Sequence, residues 1–96
     1  PWRILGRGSN ILVSDNGFPG VVVRLAGEYS QIKYLGNQCI ESGAGVVISH
    51  LVSYALGQGL GGFEFLIGVP GTVGGAVRIN AGCFGQEISN LVQEIL

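Results

Sequence analysis

Two glycine-rich segments hold the residue types best suited to chemistry in this chain. The first is Gly6-Arg7-Gly8-Ser9-Asn10, followed by Ile11 and Leu12. The second runs from Leu66 to Gly85 and contains Pro70-Gly71-Thr72-Val73-Gly74-Gly75-Ala76 and Asn80-Ala81-Gly82. Glycine loses more backbone freedom on folding than any other residue, so this density needs a cause. One cause is a turn at positive φ. Another is a backbone that must come close to a ligand. The N–H groups of Gly6 to Asn10 can curl into a concave nest for an anion, with Ser9 and Asn10 adding side-chain donors. Gly71-Thr72 can open a helical turn whose free N–H groups face a phosphate. Gly43-Ala44-Gly45 is a third short segment of this kind. An ordinary tight turn is the competing reading for each loop taken alone.

These loops fail the common nucleotide fingerprints. G-x-G-x-x-G starting at Gly6 would need glycine where Ile11 stands, and starting at Gly43 it fails at Ile48. No G-x-x-x-x-G-K-[ST] occurs. The remaining reading is a site shared by several loops. From Ser42 to Gln86 the only charged side chains are Glu64 and Arg78. A wall so poor in charge suits a large, partly apolar ligand held by backbone contacts.

The other reactive side chains stand apart. His50 has no second histidine to work with and falls on the polar face of a helix, so it is read as a surface residue. Glu64 lies in the apolar run G-F-E-F-L, where an unpaired buried carboxylate would be costly. It is expected to accept from backbone N–H groups of the neighbouring loop. Arg78 either pairs with Glu64 or reaches a phosphate. Arg7 is expected to offer its backbone, with its side chain in solvent. Asn80 ties loops together through its amide or contacts the ligand. Cys39 and Cys83 lack C-x-x-C spacing and read as two buried free thiols, with a single disulfide as the alternative, not as a zinc site or a redox dithiol. No metal site and no catalytic residue is assigned.

Composition narrows the partners. The 96 residues carry a net charge of −1, too little clustered positive charge for a nucleic-acid surface. No apolar run reaches membrane-spanning length. Free thiols point to a reducing, cytoplasmic setting. Only 11% of residues are charged and 47% are hydrophobic, so the chain is expected to be covered by something more, either further protein or a large ligand. Pro1, the lack of methionine, and a run from Val92 to Leu96 that reads as an interrupted strand point the same way.

The elements that must position the loops follow from patterning. Trp2 to Leu5 and Val21 to Leu25 read as short strands. Ile32 to Leu35 and Gln38 to Glu41 read as a hairpin about a Gly36-Asn37 turn. Val46 to Leu56 is helical in period, with Val47, Ile48, Leu51, Val52, Ala55 and Leu56 on one face and Ser49, His50 and Ser53 on the other. Gly57 and Gly59 supply its stop. Leu66 to Gly85 has no helix-length run of good helix formers. Gln86 to Leu91 reads as a short helix and Val92 to Leu96 as a strand. Short strands and a helix joined by long loops predict an α+β class.

The motifs G-R-G-S-N-I-L-V-S-D (6–15), G-A-G-V (43–46) and G-L-G-G-F-E-F-L-I-G-V-P-G-T-V-G-G-A-V-R-I-N-A-G-C-F-G-Q-E-I (59–88) together resemble the flavin domain of the UDP-N-acetylenolpyruvoylglucosamine reductase family. The resemblance covers nearly the whole chain. It implies an α+β FAD-binding domain of the FAD-linked oxidase type: two small subdomains, mainly antiparallel sheet with flanking helices, with the flavin between them. Residues 1–25 would end the first subdomain and 26–96 would start the second, leaving this part of the fold incomplete. Gly6, Arg7, Gly8, Ser9, Asn10, Ile11 and Leu12 match the loop that holds the pyrophosphate. Pro70, Gly71, Thr72, Gly74, Gly75, Ala76, Asn80, Ala81 and Gly82 match segments lining the cofactor, with Gly43, Ala44 and Gly45 close by. The family passes hydride from NADPH through FAD to the enolpyruvyl double bond of a UDP-sugar, a cytoplasmic step of peptidoglycan synthesis. Its catalytic serine, arginine and glutamate lie in later motifs; a Y-R-x-S and an F-K-N-P segment would be expected, neither is present in this stretch, and the UDP-sugar domain is also absent. The resemblance therefore implies cofactor holding. Another FAD-linked oxidoreductase, or a non-catalytic domain of the same fold, stays open.

Overall fold

The β-branched and aromatic runs near the N-terminus form two three-residue strands, β1 (Trp2–Ile4) and β2 (Val21–Val23). The computed structural model describes all 96 residues. The two strands run parallel, with Trp2 opposite Val21 and Ile4 opposite Val23. Leu5 extends the ladder by donating its N–H to the Val23 carbonyl at 2.9 Å. A parallel pair normally has both faces covered, yet every residue of both strands is exposed. The residues between them, Gly6 to Gly20, form no helix or strand.

A hairpin follows, β3 (Ile32–Gly36) and β4 (Cys39–Ser42), antiparallel and with an irregularity between Tyr34 and Gly36. Its turn sits at Asn37-Gln38, one residue later than the composition suggests. Both residues adopt positive φ, 51° and 62°, as a tight hairpin turn of the primed type requires. The Tyr54 hydroxyl accepts the Tyr34 N–H at 3.0 Å and ties this hairpin to the next helix.

Helix α1 spans Ile48–Gly57. Ile48, Leu51, Val52 and Ala55 are buried, while His50 and Ser53 face solvent. The helix starts two residues later than its periodicity indicates, because Val47 is extended and bridges to Thr72. It ends as the glycines require. Gly59 has φ +74°, its N–H donates to Leu56, and the Leu60 N–H reaches back to Ala55 at 2.9 Å. That pair of bonds is a Schellman ending.

Helix α2 (Val73–Ile79) forms inside the glycine-rich segment despite Gly74 and Gly75. Each costs about 1 kcal/mol against alanine in a helix. Packing compensates: Ala76 is buried, and Val73 and Val77 lie against the core. Asn80 closes the helix in the left-handed conformation, φ 48°. The next residues differ from the short helix expected over Gln86 to Leu91. Gly82–Cys83 (β5) and Gln86–Glu87 (β6) make a small antiparallel hairpin, followed by a 3-10 turn at Ile88–Asn90. The cause is the turn at Phe84-Gly85, where both residues have positive φ and reverse the chain before a helix can begin. Val92 to Leu96 takes no regular structure, since no strand pairs with it.

The core is made of Ile48, Val52, Phe65, Leu66, Ala76 and Ile88, drawn from α1, α2 and the two 3-10 turns after them. Ile48 and Leu66 are fully buried, each worth roughly 1.5–3 kcal/mol of burial free energy. The class is α+β. Two of the three strand pairings are antiparallel, and β1–β2 is the parallel exception.

Candidate functional site

A cleft of ≈ 810 Å³ opens between β1–β2 and the N-terminal half of α2. Of the residues singled out in sequence, Gly6, Arg7, Ala44, Gly45, Thr72, Gly74 and Gly75 line it. Two glycine motifs more than sixty residues apart meet at its edge. A Cβ on Gly6 would stand 2.7 Å from Thr72 Oγ1, and one on Gly71 would stand 3.0 Å from Ser9 Oγ. The first glycine loop therefore rests directly on the start of α2, and a side chain at Gly6 would force buried Thr72 to shift, while one at Gly71 would only crowd the exposed Ser9 hydroxyl.

The first loop keeps its donors free. No backbone N–H from Gly6 to Asp15 donates to a protein acceptor. These residues are exposed, except half-buried Gly6, and Leu12 is 98% exposed. Gly8 sits at φ +76°, the left-handed step that turns successive N–H groups to one side. Such an arrangement suits the oxygens of a diphosphate.

The second wall is built differently. The sequence suggested that Gly71-Thr72 opens a turn with free N–H groups for a phosphate, and the structure corrects this. Val73 donates to the Val46 carbonyl at 2.8 Å, Gly74 to Ala44 at 2.8 Å, and Gly75 to Thr72 Oγ1 at 3.3 Å. All three donors are occupied within the protein. The glycines serve close packing: a Cβ on Gly74 would lie 2.9 Å from the Ala44 Cβ, and one on Gly43 would collide with the Tyr29 carbonyl. Gly43 and Gly45 donate to Gln31 and Tyr29. Gly75 differs from its neighbours. It is exposed and lines the cleft, and a Cβ there would meet nothing nearer than Thr72 Oγ1 at 3.4 Å, an ordinary contact.

Other sequence-selected residues lie outside this cleft lining. Pro70 and Gly71 flank it, and Gly71 has φ +105°. Ala76 belongs to the core. The Asn80 side-chain oxygen accepts the Ser89 N–H at 3.1 Å, Ala81 bonds Ile88, and Gly82 is ladder-paired with Glu87 in the small hairpin. Gly8, Ser9, Asn10, Ile11, Leu12 and Gly43 also stand off the lining itself. Glu64 is exposed rather than buried, and its carboxylate accepts the Gly62 N–H at 2.7 Å. It does not pair with Arg78, which lines the cleft. Cys39 and Cys83 are free and half-buried, short of the full burial expected.

Reading the sequence missed the cleft's charge. Arg3, Arg7, Arg24 and Arg78 all line it, four of the chain's five basic side chains, and none of its six carboxylates does. Arg7 was expected to offer only its backbone. The signal is invisible in composition because the net charge is −1. Arg3 is held over the Phe18 ring at 5.8 Å and donates to the Trp2 carbonyl at 2.9 Å.

Free backbone donors at the cleft's edge and four arginines in its lining are groups that could meet a large ligand carrying phosphate. The chain belongs to the FAD binding domain family, which matches residues 1–96. Within that class it is similar to the UDP-N-acetylenolpyruvoylglucosamine reductase of Maricaulis maris (strain MCS10), with 48% identity over all 96 residues and 30% of that protein. The corresponding protein of Pelagibacter ubique (strain HTCC1062) is 46% identical over 97% of this chain and 31% of its own length. The crystal structure of the Thermus caldophilus UDP-N-acetylenolpyruvylglucosamine reductase superposes with a TM-score of 0.80 at 46% identity, over 93% of this chain and 32% of that one. The chain spans about a third of the length of the relatives it matches. No helix is long and apolar enough to cross a membrane.

Proposed function

We propose that this chain is the FAD-holding part of an enzyme that reduces UDP-N-acetylglucosamine enolpyruvate to UDP-N-acetylmuramate with NADPH, in the cytoplasmic synthesis of peptidoglycan precursors. The observation that carries the FAD reading is the meeting of loop 6–12, with its free N–H groups, and the start of α2 at the edge of one cleft. The likeness to reductases of that name supports the substrate. FAD, when bound, supplies the hydride relay, and the protein's part is to hold and orient it.

The work of this chain's residues then divides by wall. Gly6 to Leu12 bind the diphosphate through backbone N–H groups. Thr72 caps α2 and fixes the height of that loop above the helix. Gly75 leaves the helix surface bare, so that a planar ring can lie close to it. Asn80, Ala81 and Gly82 keep the far end of α2 in place, and Pro70, Gly71 and Ala76 hold its near end. Protonation of the substrate, and binding of the UDP-sugar, fall to residues outside this stretch.

The full-length protein tests the reading. It is expected to purify with flavin absorbance bands and to oxidise NADPH only when the enolpyruvyl UDP-sugar is present. A colourless protein that takes up no FAD refutes both parts. Flavin bands without substrate-dependent turnover would point to another FAD-linked oxidoreductase.

A further inference from the structure

The loop 6–20 lies between β1 and β2 and makes no hydrogen bond to any residue outside itself. Its internal bonds all fall in the return limb. Gly17 donates to the Ser14 carbonyl at 2.8 Å and Gly20 to the Phe18 carbonyl at 2.8 Å, and the Asn16 N–H reaches Ser14 Oγ at 3.2 Å. Of residues 7–20, Phe18 is the one that is not exposed. The Arg3 guanidinium carbon stands 5.8 Å from the centre of its ring, within range of a cation–π attraction. Arg3 Nη1 also donates to the Trp2 carbonyl at 2.9 Å, which fixes the direction of the guanidinium. Gly20 leaves room for the ring: a Cβ there would collide with the Pro1 carbonyl and stand 2.9 Å from Phe18 Cε1. The return limb is thus fastened to β1 by a side-chain stack, while the leading limb carries the free donors. A loop that must be ordered when its ligand arrives loses affinity to that ordering, and a fastened limb lessens the loss.

We propose that Phe18 is a positioning residue for the cofactor. Stacked on Arg3, it latches the return limb to β1 and so holds the N–H groups of Gly6 to Leu12 at the cleft before a ligand arrives. The inference rests on the FAD reading above. Phe18 does not line the cleft, whereas Arg3 does. The ring therefore acts through Arg3 and the loop backbone.

The test uses the full-length protein loaded with FAD. Release of FAD on dilution is followed by flavin fluorescence in the wild type, F18L, F18Y, R3Q and R3Q/F18L. Leucine keeps an apolar side chain but removes the ring, and tyrosine restores it. F18L and R3Q are each expected to speed release about two- to fivefold, the size of an exposed cation–π pair. F18Y is expected to release at the wild-type rate, and R3Q/F18L no faster than R3Q, since coupled residues do not add. In FAD-free protein, tryptic cleavage after Arg7 is expected to quicken in F18L by a like factor, with an unchanged melting curve. Wild-type release from F18L would overturn the proposal. So would an F18L effect of full size in the R3Q background, because the ring would then act without Arg3. A lowered melting temperature in F18L that F18Y does not restore would overturn it as well, leaving Phe18 a packing role alone. Failure of the wild type itself to hold FAD would instead remove the reading beneath, and cleavage after Arg7 would still decide whether the latch exists.

Discussion

Two glycine-rich segments meet at the edge of the cleft and use glycine for opposite ends. Loop 6–12 leaves its N–H groups without protein partners and is exposed. The wall from Gly43 to Val46 and from Gly71 to Gly75 directs its N–H groups into the protein, and its glycines admit backbone at close range. One wall is a binding surface made of backbone. The other is a rigid joint on which that surface rests. Glycine content alone therefore does not mark ligand contact; what distinguishes the two is where the donors go.

The sharpest way to break the comparison is at the joint. Gly43→Val drives a side chain into the Tyr29 carbonyl and should cost about 3 kcal/mol, read as a large fall in melting temperature or loss of soluble full-length protein. Wild-type melting would show that the wall is not tightly packed there. Gly74→Val belongs with it, since it strikes Ala44 before it reaches any ligand.

Gly75 separates the two roles. Gly75→Leu meets open cleft rather than protein and should raise helix stability by about 0.8–1 kcal/mol. It should also lower the flavin-to-protein absorbance ratio at least tenfold. Full flavin content in a well-folded variant would remove Gly75 from the binding surface.

Smaller effects sharpen the picture. Thr72→Ala removes the cap on Gly75 and should cost about 1 kcal/mol by chemical denaturation, with a modest weakening of FAD. An unchanged denaturation midpoint would deny it the joint. His50→Ala, exposed on α1, should shift stability by no more than about 0.5 kcal/mol and leave flavin content as it was. A loss of flavin there would mean that α1 takes part in the site.

The legible parts of the fold were those where one local pattern decides. Ile48, Leu51, Val52 and Ala55 recur at helical spacing, and Gly59 ends the helix where a left-handed residue is needed. Helix α2 was legible only as a turn start, because V-G-G-A-V-R-I has poor intrinsic propensity and owes its form to Thr72 and to packing of Val73 and Val77. The Phe84-Gly85 reversal escaped notice because phenylalanine seldom takes positive φ. At the site, the pairing of Gly6 to Leu12 with Gly71-Thr72 was readable only through the resemblance to the flavin-domain motifs. The cleft's charge was not, because Arg3, Arg7, Arg24 and Arg78 are scattered along the chain and converge only through folding.

The unbonded stretch from Gly6 to Asp15 has a consequence for time as well as for binding. Amides without a partner and open to water exchange their protons with little protection. In the absence of cofactor this segment should take up deuterium within the first moments, ahead of Ile48 to Gly57. Occupancy of the cleft would then be written in the same amides as a delay, and its length would report how long each visit of the ligand lasts.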